Sequence, residues 1–159
     1  MMRRKDSLVL RKAHGKDVAR MHVLLMDGAA KGLLLPRSPM QLVTALRDFF
    51  VLEDPDAGEI VACCALAFIW EGLAEVRSLY VLEECRRMGL GHKLVKACLD
   101  DAVSFGMSRV FTLTYQTRFF AQLGFAEVPK ESLPQKIWTD CINCPKFPNC
   151  DEVAMIRNA

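Results

Sequence analysis

"ECRRMGLGH", Glu84 to His92, sets two arginines just ahead of two glycines spaced one apart, and an apolar helical pattern begins at once. Backbone N–H groups at the start of a helix have no partner within the helix, and together with the helix dipole they form an anion site. Glycines let the chain curl so that several N–H groups point at one phosphate, while Arg86 and Arg87 add positive charge. The stretch is read as a cradle for a phosphate or pyrophosphate. By itself the G-x-G is a weak signal, because glycines before a helix often make only a turn. It is not a Rossmann fingerprint, which needs a third glycine, nor a P-loop, which needs Gly-Lys-Ser/Thr next.

The surroundings narrow the choice. After the glycines, Leu94, Val95, Cys98, Leu99, Ala102 and Val103 recur at helical spacing, with Gly106 as a natural stop. Before them, "LAEVRSLYVL" (73–82) reads as a strand, and "EIVACCALAFIW" (59–70) as a strand buried on both faces. Upstream, "SLVLRKA" (7–13) alternates as a first strand. "GKDVARMHVLLMDGAAKG" (15–32) places Val18, Met21, Leu24 and Leu25 on one helical face. Asp17 is expected to cap that helix, with Gly28 and Gly32 loosening its end. Ser38, Pro39 and Gln41 make the capping box of another helix, with Leu42, Leu46 and Phe49 as its buried stripe. "FFVLED" (49–54) is a strand closed by the turn "PDAGE". Downstream, "SRVFTLTY" (108–115) is a strand and "TRFFAQLGF" (117–125) a short helix ending at Gly124, and "AEVP" and "DEVAMIR" are the last strands. The predicted order is β-α-α-β-β-β-α-β-α-β-β, a mixed α/β (α+β) sandwich without repeats.

The 159 residues suit a single domain spanning 1–159. Apolar residues make up 52% and charged ones 25%, which excludes a disordered chain. A net charge of +2 and a pI of about 8.2 lack the basic surplus of a duplex binder, so nucleic acid is not expected as a partner. No membrane association is expected either: the longest apolar run, Ile60–Trp70, is too short for a bilayer, and the N-terminal apolar stretch too short for a signal peptide. Seven cysteines without an export signal read as reduced thiols, and the expected location is cytoplasmic.

Arg86-x-x-Gly89-x-Gly91, placed after such a strand and followed by a strand, a short helix and Gly-Phe, resembles the acetyl-CoA pyrophosphate loop of the GNAT acetyltransferase superfamily, whose pattern is Q/R-x-x-G-x-G/A. The resemblance covers nearly the whole chain. It implies the GNAT acyltransferase fold, a mixed, mostly antiparallel central sheet flanked by helices. "KGLLLPRSP", "LAEVRSL", "YQTRFFAQLGF" and "LPQKIWTDCINCPKFPNCDEVAM" further resemble the short, stand-alone bacterial N-acetylglutamate synthases, whose longer relatives carry an amino-acid kinase domain that this chain is too short to include. The implied reaction is transfer of acetyl from acetyl-CoA to the α-amine of glutamate, or a close analogue such as glutamine, as the first step of arginine biosynthesis.

Acetyl transfer to an amine needs bound CoA, a neutral amine, a donor to the oxyanion and a way to release the thiolate. Glu75 is the candidate base, since the superfamily often places a carboxylate at this point of the fourth strand. Residues two apart on a strand face the same way, so Glu75, Arg77 and Leu79 are expected to share a face. A structural Glu75–Arg77 ion pair is the plainer reading of the same spacing. Burial would raise the glutamate's pKa and Arg77 would lower it. Arg77 and Arg37 are candidate grips for substrate carboxylates, with Lys31 a weaker third, because a guanidinium takes a carboxylate through two hydrogen bonds. For CoA, the resemblance implies pantetheine along the backbone of Leu79, Tyr80 and Val81, and diphosphate on Arg86, Arg87, Met88, Gly89, Leu90 and Gly91. One departure stands out: where many relatives have a tyrosine as acid for the thiolate, this chain has Phe120. Tyr115 and Tyr80 are substitutes, and no acid is assigned.

"DCINCPKFPNCDE" (140–152) brings Cys141, Cys144 and Cys150 close together. C-x-x-C is half of a metal signature, yet no histidine lies nearby, and the reading is a thiol cluster, open to oxidation, with no metal assigned. Cys63, Cys64 and Cys98 read as core packing. The expected partner is a small amino-acid substrate, and a homodimer is left open. Two rival functions remain: acetylation of a protein lysine or N-terminus, and a non-catalytic acyl-CoA-binding or redox-sensing module.

Overall fold

The computed structural model describes residues 5–134 and 151–159. Its helices and strands follow one another as the sequence predicts: β1 (Val9–Lys12), α1 (Val18–Ala30), α2 (Pro39–Thr44), β2 (Phe49–Asp54), β3 (Glu59–Trp70), β4 (Leu73–Val81), α3 (Leu90–Ser104), β5 (Arg109–Thr114), α4 (Thr117–Gln122), β6 (Ala126–Val128) and β7 (Val153–Asn158). The strands form one sheet in the order β1-β2-β3-β4-β5-β7-β6. β4 and β5 run parallel, whereas β1–β2, β2–β3, β5–β7 and β6–β7 are antiparallel. This is the mixed, mostly antiparallel sheet of an α/β protein. Among the described residues no helix is long and apolar enough to cross a membrane.

Two compact units make up the chain: Met1–Leu66 with Val76–Cys98, and Ala67–Glu75 with Leu99–Ala159. In the first, Met21, Leu24 and Leu25 of α1 pack with Leu42 of α2 and with Phe49, Val51 and Cys63 of the strands. Complete burial of such side chains contributes roughly 1.5–3 kcal/mol each and holds the two helices to their strands. The capping box of α2 forms as predicted, with the Gln41 N–H donating to Ser38 Oγ at 3.1 Å and the Ser38 N–H to Gln41 Oε1 at 2.8 Å. In the second unit, Leu73, Phe111, Leu133 and Ala154 form the core.

Four local expectations are corrected. Asp17 does not cap α1: its carboxylate accepts from both terminal nitrogens of Arg11, at 2.7 and 3.0 Å, and from the His14 N–H at 2.7 Å. Gly28 does not loosen the end of α1. It lies inside the helix, where a Cβ would meet Leu34 Cδ1 at 2.7 Å and the Tyr80 ring at 3.0 Å. Phe49 opens β2 and is not part of a helix, because α2 ends at Thr44 and a 3-10 turn, Leu46–Asp48, intervenes. Val103 sits on α3 but is 59% exposed, one position off the buried face of Leu94, Val95, Cys98 and Ala102.

Candidate active site

β4 carries most of the predicted residues. In the second unit its first three residues pair with β5 as Leu73↔Arg109, Ala74↔Val110 and Glu75↔Phe111. The pairing ends at Glu75, although β4 runs on to Val81. Glu75 is therefore the last residue of that ladder, and it is buried. Phe120 is also buried and stacks edge-on with Phe119 and Phe125 at centroid distances of 5.0 and 5.2 Å. An aromatic ring without a hydroxyl suits that packed position.

In the first unit β4 changes character. Ser78 takes a φ of 56°, a left-handed conformation that costs a non-glycine residue roughly 1–2 kcal/mol. A residue in that conformation interrupts the alternation of a strand, so the expected shared face of Glu75, Arg77 and Leu79 does not carry through to Leu79. Arg77 is half-buried, as are Leu79 and Val81, while Tyr80 is buried. The Tyr80 hydroxyl donates to Asp27 of α1, which ties the middle of this segment to the helix. Burial, and then this hydrogen bond, push the Tyr80 phenol up from its ordinary value, so it holds its proton more tightly. The same bond and the nearby Lys31 hold Asp27 below the usual carboxylate range. Lys31 lies at the exposed end of α1 with Asp27 at 3.0 Å and Glu83 at 3.7 Å. Arg37 is half-buried immediately before the Ser38 cap.

Beyond β4 the chain curls. Arg87 has a φ of 66° and Gly89 a φ of 75°, so two left-handed residues stand one apart before α3 begins at Leu90. Such alternation turns successive N–H groups into one concavity. The first turn of α3 contains no acidic residue to compete for its N–H groups. Leu90 is buried and fixes the turn from below, while Arg87 and Gly89 are exposed above it. Arg86 is drawn back toward the strand: its Nε donates to the Val81 carbonyl at 3.1 Å, and its guanidinium lies 5.5 Å from the Tyr80 ring centroid. These residues fit a CoA diphosphate. An anion there meets backbone donors at a helix start, with Arg87 alongside.

Asp48 was not singled out from the sequence. It is half-buried and last in its 3-10 turn, and burial raises its carboxyl against the opposing charges of Arg77 and Lys12. Nothing in the local pattern marks it, because both neighbours come from other strands. Cys63, Cys64 and Cys98 are fully buried as predicted, and burial pushes the Cys63 thiol up to about 12. Cys85 is buried with them. Cys141, Cys144 and Cys150 lie outside the described residues.

The fold and the loop define an acetyltransferase. The model of the acetyltransferase (GNAT) family matches residues 29–125, and the chain belongs to that family. An N-acetyltransferase of Chlorobaculum tepidum, named as uncharacterised, is 41% identical over 148 residues, which are 93% of this chain and 94% of that one. The amino-acid acetyltransferase of Mycobacterium tuberculosis is 37% identical over 121 residues, covering 76% of this chain and 69% of that one. The N-acetylglutamate synthase of Neisseria gonorrhoeae, solved with coenzyme A and N-acetyl-glutamate, superposes with a TM-score of 0.85 at 26% identity, covering 95% of this chain and 35% of that one. The chain thus spans about a third of the Neisseria enzyme's length. It is an acetyl-CoA-dependent N-acetyltransferase.

Proposed function

We propose that the enzyme acetylates the α-amine of glutamate, or of a close analogue such as glutamine, at the first step of arginine biosynthesis. The observation that carries this reading is the content of β4: a buried carboxylate, Glu75, and a half-buried guanidinium, Arg77, two residues apart on the strand that leads into the phosphate loop. The relatives named above supply the amino-acid acceptor.

In this reading acetyl-CoA brings the thioester, with its diphosphate on Arg87 to Gly91 and its pantetheine along the backbone of Leu79 to Val81. The Val81 carbonyl is already engaged by Arg86. Arg77 and Arg37 take acceptor carboxylates, with Lys31 farther out on α1. Glu75 takes the ammonium proton, directly or through water, and the neutral nitrogen attacks the thioester carbonyl. A backbone N–H of Leu79 to Val81 donates to the oxyanion. Tyr80 holds its proton toward Asp27, which makes it a poor donor to the departing thiolate, and Tyr115 or solvent is left for that step.

The test is turnover of the purified protein with acetyl-CoA against free amino acids and a lysine peptide. Glutamate or glutamine should be acetylated, and Glu75→Gln should lower kcat by about 10²-fold at neutral pH, less at high pH where free amine is abundant. Preference for the lysine peptide would move the enzyme to the protein-acetylating class. An undiminished rate in Glu75→Gln at saturation would remove the base assignment.

A further inference from the structure

Asp27 is a charged group that the proposed chemistry does not use. It lies near the C-terminal end of α1, where the helix meets the end of β4 and the turn after it. One of its oxygens, Oδ2, accepts from Lys31 Nζ at 3.0 Å and also from the Tyr80 hydroxyl. Lys31 reaches on to Glu83 Oε2 at 3.7 Å, at the start of the 3-10 turn Glu83–Cys85. An Asp–Lys pair four residues apart on an exposed helix face contributes little by itself. The bond from Tyr80 is different, because its donor comes from 53 residues along the chain. The Tyr80 ring is buried, and the backbone of α1 lies against it: a Cβ on Gly28 would stand 3.0 Å from Tyr80 Cδ2. The helix thus meets the ring at its edge and at its hydroxyl.

From Tyr80 the contacts pass to the glycine turn. The Arg86 guanidinium lies over the ring, 5.5 Å from its centroid, where the ring quadrupole attracts a cation. Arg86 Nε donates to the Val81 carbonyl at 3.1 Å, which closes the chain back on itself across the 3-10 turn. Arg86 is also the last residue before the left-handed pair, Arg87 and Gly89. A run of contacts from Asp27 through Tyr80 to Arg86 therefore joins α1 to the point where the chain begins to curl. A binding loop gains affinity when its bound shape is set beforehand, because less freedom is lost on binding.

We propose that Asp27 is a positioning residue for acetyl-CoA: through Tyr80 and Arg86 it sets the entry to the glycine turn before the cosubstrate arrives. This rests on the placement of the CoA diphosphate at Arg87 to Gly91 and deepens it. Arg86 then serves the turn from behind, holding it to the strand, while Arg87 is the cation beside the anion. What Asp27 supplies is an acceptor oxygen for the Tyr80 hydroxyl, and its negative charge is incidental.

The test is calorimetric titration of CoA into the full chain, with thermal melting alongside. Asp27→Ala should weaken CoA about fivefold to tenfold. Its melting temperature should move by no more than about 3 °C, because Asp27 is 47% exposed. Asp27→Asn removes the charge and keeps an acceptor, and should bind CoA within about twofold of wild type. Tyr80→Phe removes only the hydroxyl and should match Asp27→Ala, and the double variant should be no weaker than either single one. Unchanged CoA affinity in Asp27→Ala, or losses that add in the double variant, would overturn the role. A loss in Asp27→Asn as large as in Asp27→Ala would overturn it too, by making the charge the active element. Gly89→Val, or Gly89→Ala if that variant unfolds early, probes the turn itself. If it leaves CoA affinity unchanged, the placement of the diphosphate falls. If it weakens CoA and Asp27→Ala does not, only the role of Asp27 falls.

Discussion

Two short turns in the first unit look alike and behave oppositely. Gly15–Asp17 leads into α1 and Leu46–Asp48 leads into β2, and each ends on an aspartate. Asp17 is the more buried, 5% exposed, yet the two Arg11 hydrogen bonds and the His14 N–H hold its carboxyl well below the usual range. The partner gains as well, since the same bonds raise the Arg11 guanidinium. Asp48 is less buried, and its carboxyl is pushed up. At Asp17 the donors outweigh burial, whereas at Asp48 burial outweighs the opposing fields of Arg77 and Lys12. A carboxylate whose donors come from its own chain is part of the framework.

The largest effect should come from breaking the satisfied turn. Asp17→Asn removes one member of a buried charge pair and should cost on the order of 3 kcal/mol in denaturant unfolding, with acceptor KM unchanged. The sign in pH follows from the lowered carboxyl: the contribution is complete above the ordinary carboxylate range and is lost as pH falls through Asp17's lowered value. Wild type and Asp17→Asn should therefore converge in strong acid. A constant gap at all pH values would show that packing, not charge, holds this turn.

Next comes Arg77, whose charge opposes the rise of the Asp48 carboxyl. Arg77→Ala should raise acceptor KM by a factor of about 30, the equivalent of roughly 2 kcal/mol for a lost charged contact, with a much smaller loss of melting temperature. Arg77→Lys should recover only part, because an ammonium lacks the planar fork. A large stability loss with unchanged KM would make Arg77 a framework residue like Arg11 and erase the contrast.

A smaller effect tests exposure at constant chemistry. Arg11 also reaches Glu53 through Nε at 3.2 Å, where the glutamate is 24% exposed. Glu53→Gln should cost less than about 1 kcal/mol, far below Asp17→Asn on the same arginine. Equal costs would mean that Arg11 is held by charge alone and not by the two-pronged contact to Asp17.

The smallest change is expected in the stability of Asp48→Asn. A carboxyl raised on folding favours the folded state most in acid and loses that contribution as pH rises through its raised value. Replacing it with a neutral amide should leave neutral-pH stability within about 0.5 kcal/mol or raise it slightly. A clear destabilisation by melting would show that the ionised Asp48 carboxylate supports the fold at neutral pH.

These contrasts mark the limit of what was legible beforehand. The order of elements followed from local periodicity and punctuation. The unbroken apolar run of β3 reads as a strand covered on both faces, and the Ser38 and Gln41 capping box needs only neighbours three residues apart. The G-x-G loop was equally legible, because a left-handed Gly89 before a helix is a local demand on one residue type. Asp17 was misassigned as a helix cap for the converse reason. Its composition and position suit a cap, and only the turn between β1 and α1 folds it to within 2.7 Å of Arg11, six residues upstream. Gly28 reads as a helix loosener until Leu34 and Tyr80 close over it.

The amino-acid sequence alone determined the strand and helix order, the glycine turn before α3 and the family resemblance, since these depend on residues within about a turn of one another. The tertiary structure decided which charges meet. Arg11 and Glu53 are far apart along the chain and meet at 3.2 Å through the pairing of β1 with β2. It also decided the fate of β4, whose Ser78 takes a left-handed turn that no serine announces in sequence. Electrostatic energies fall with distance in space and not along the chain, so the partner of a charged side chain is legible only once the sheet has placed it.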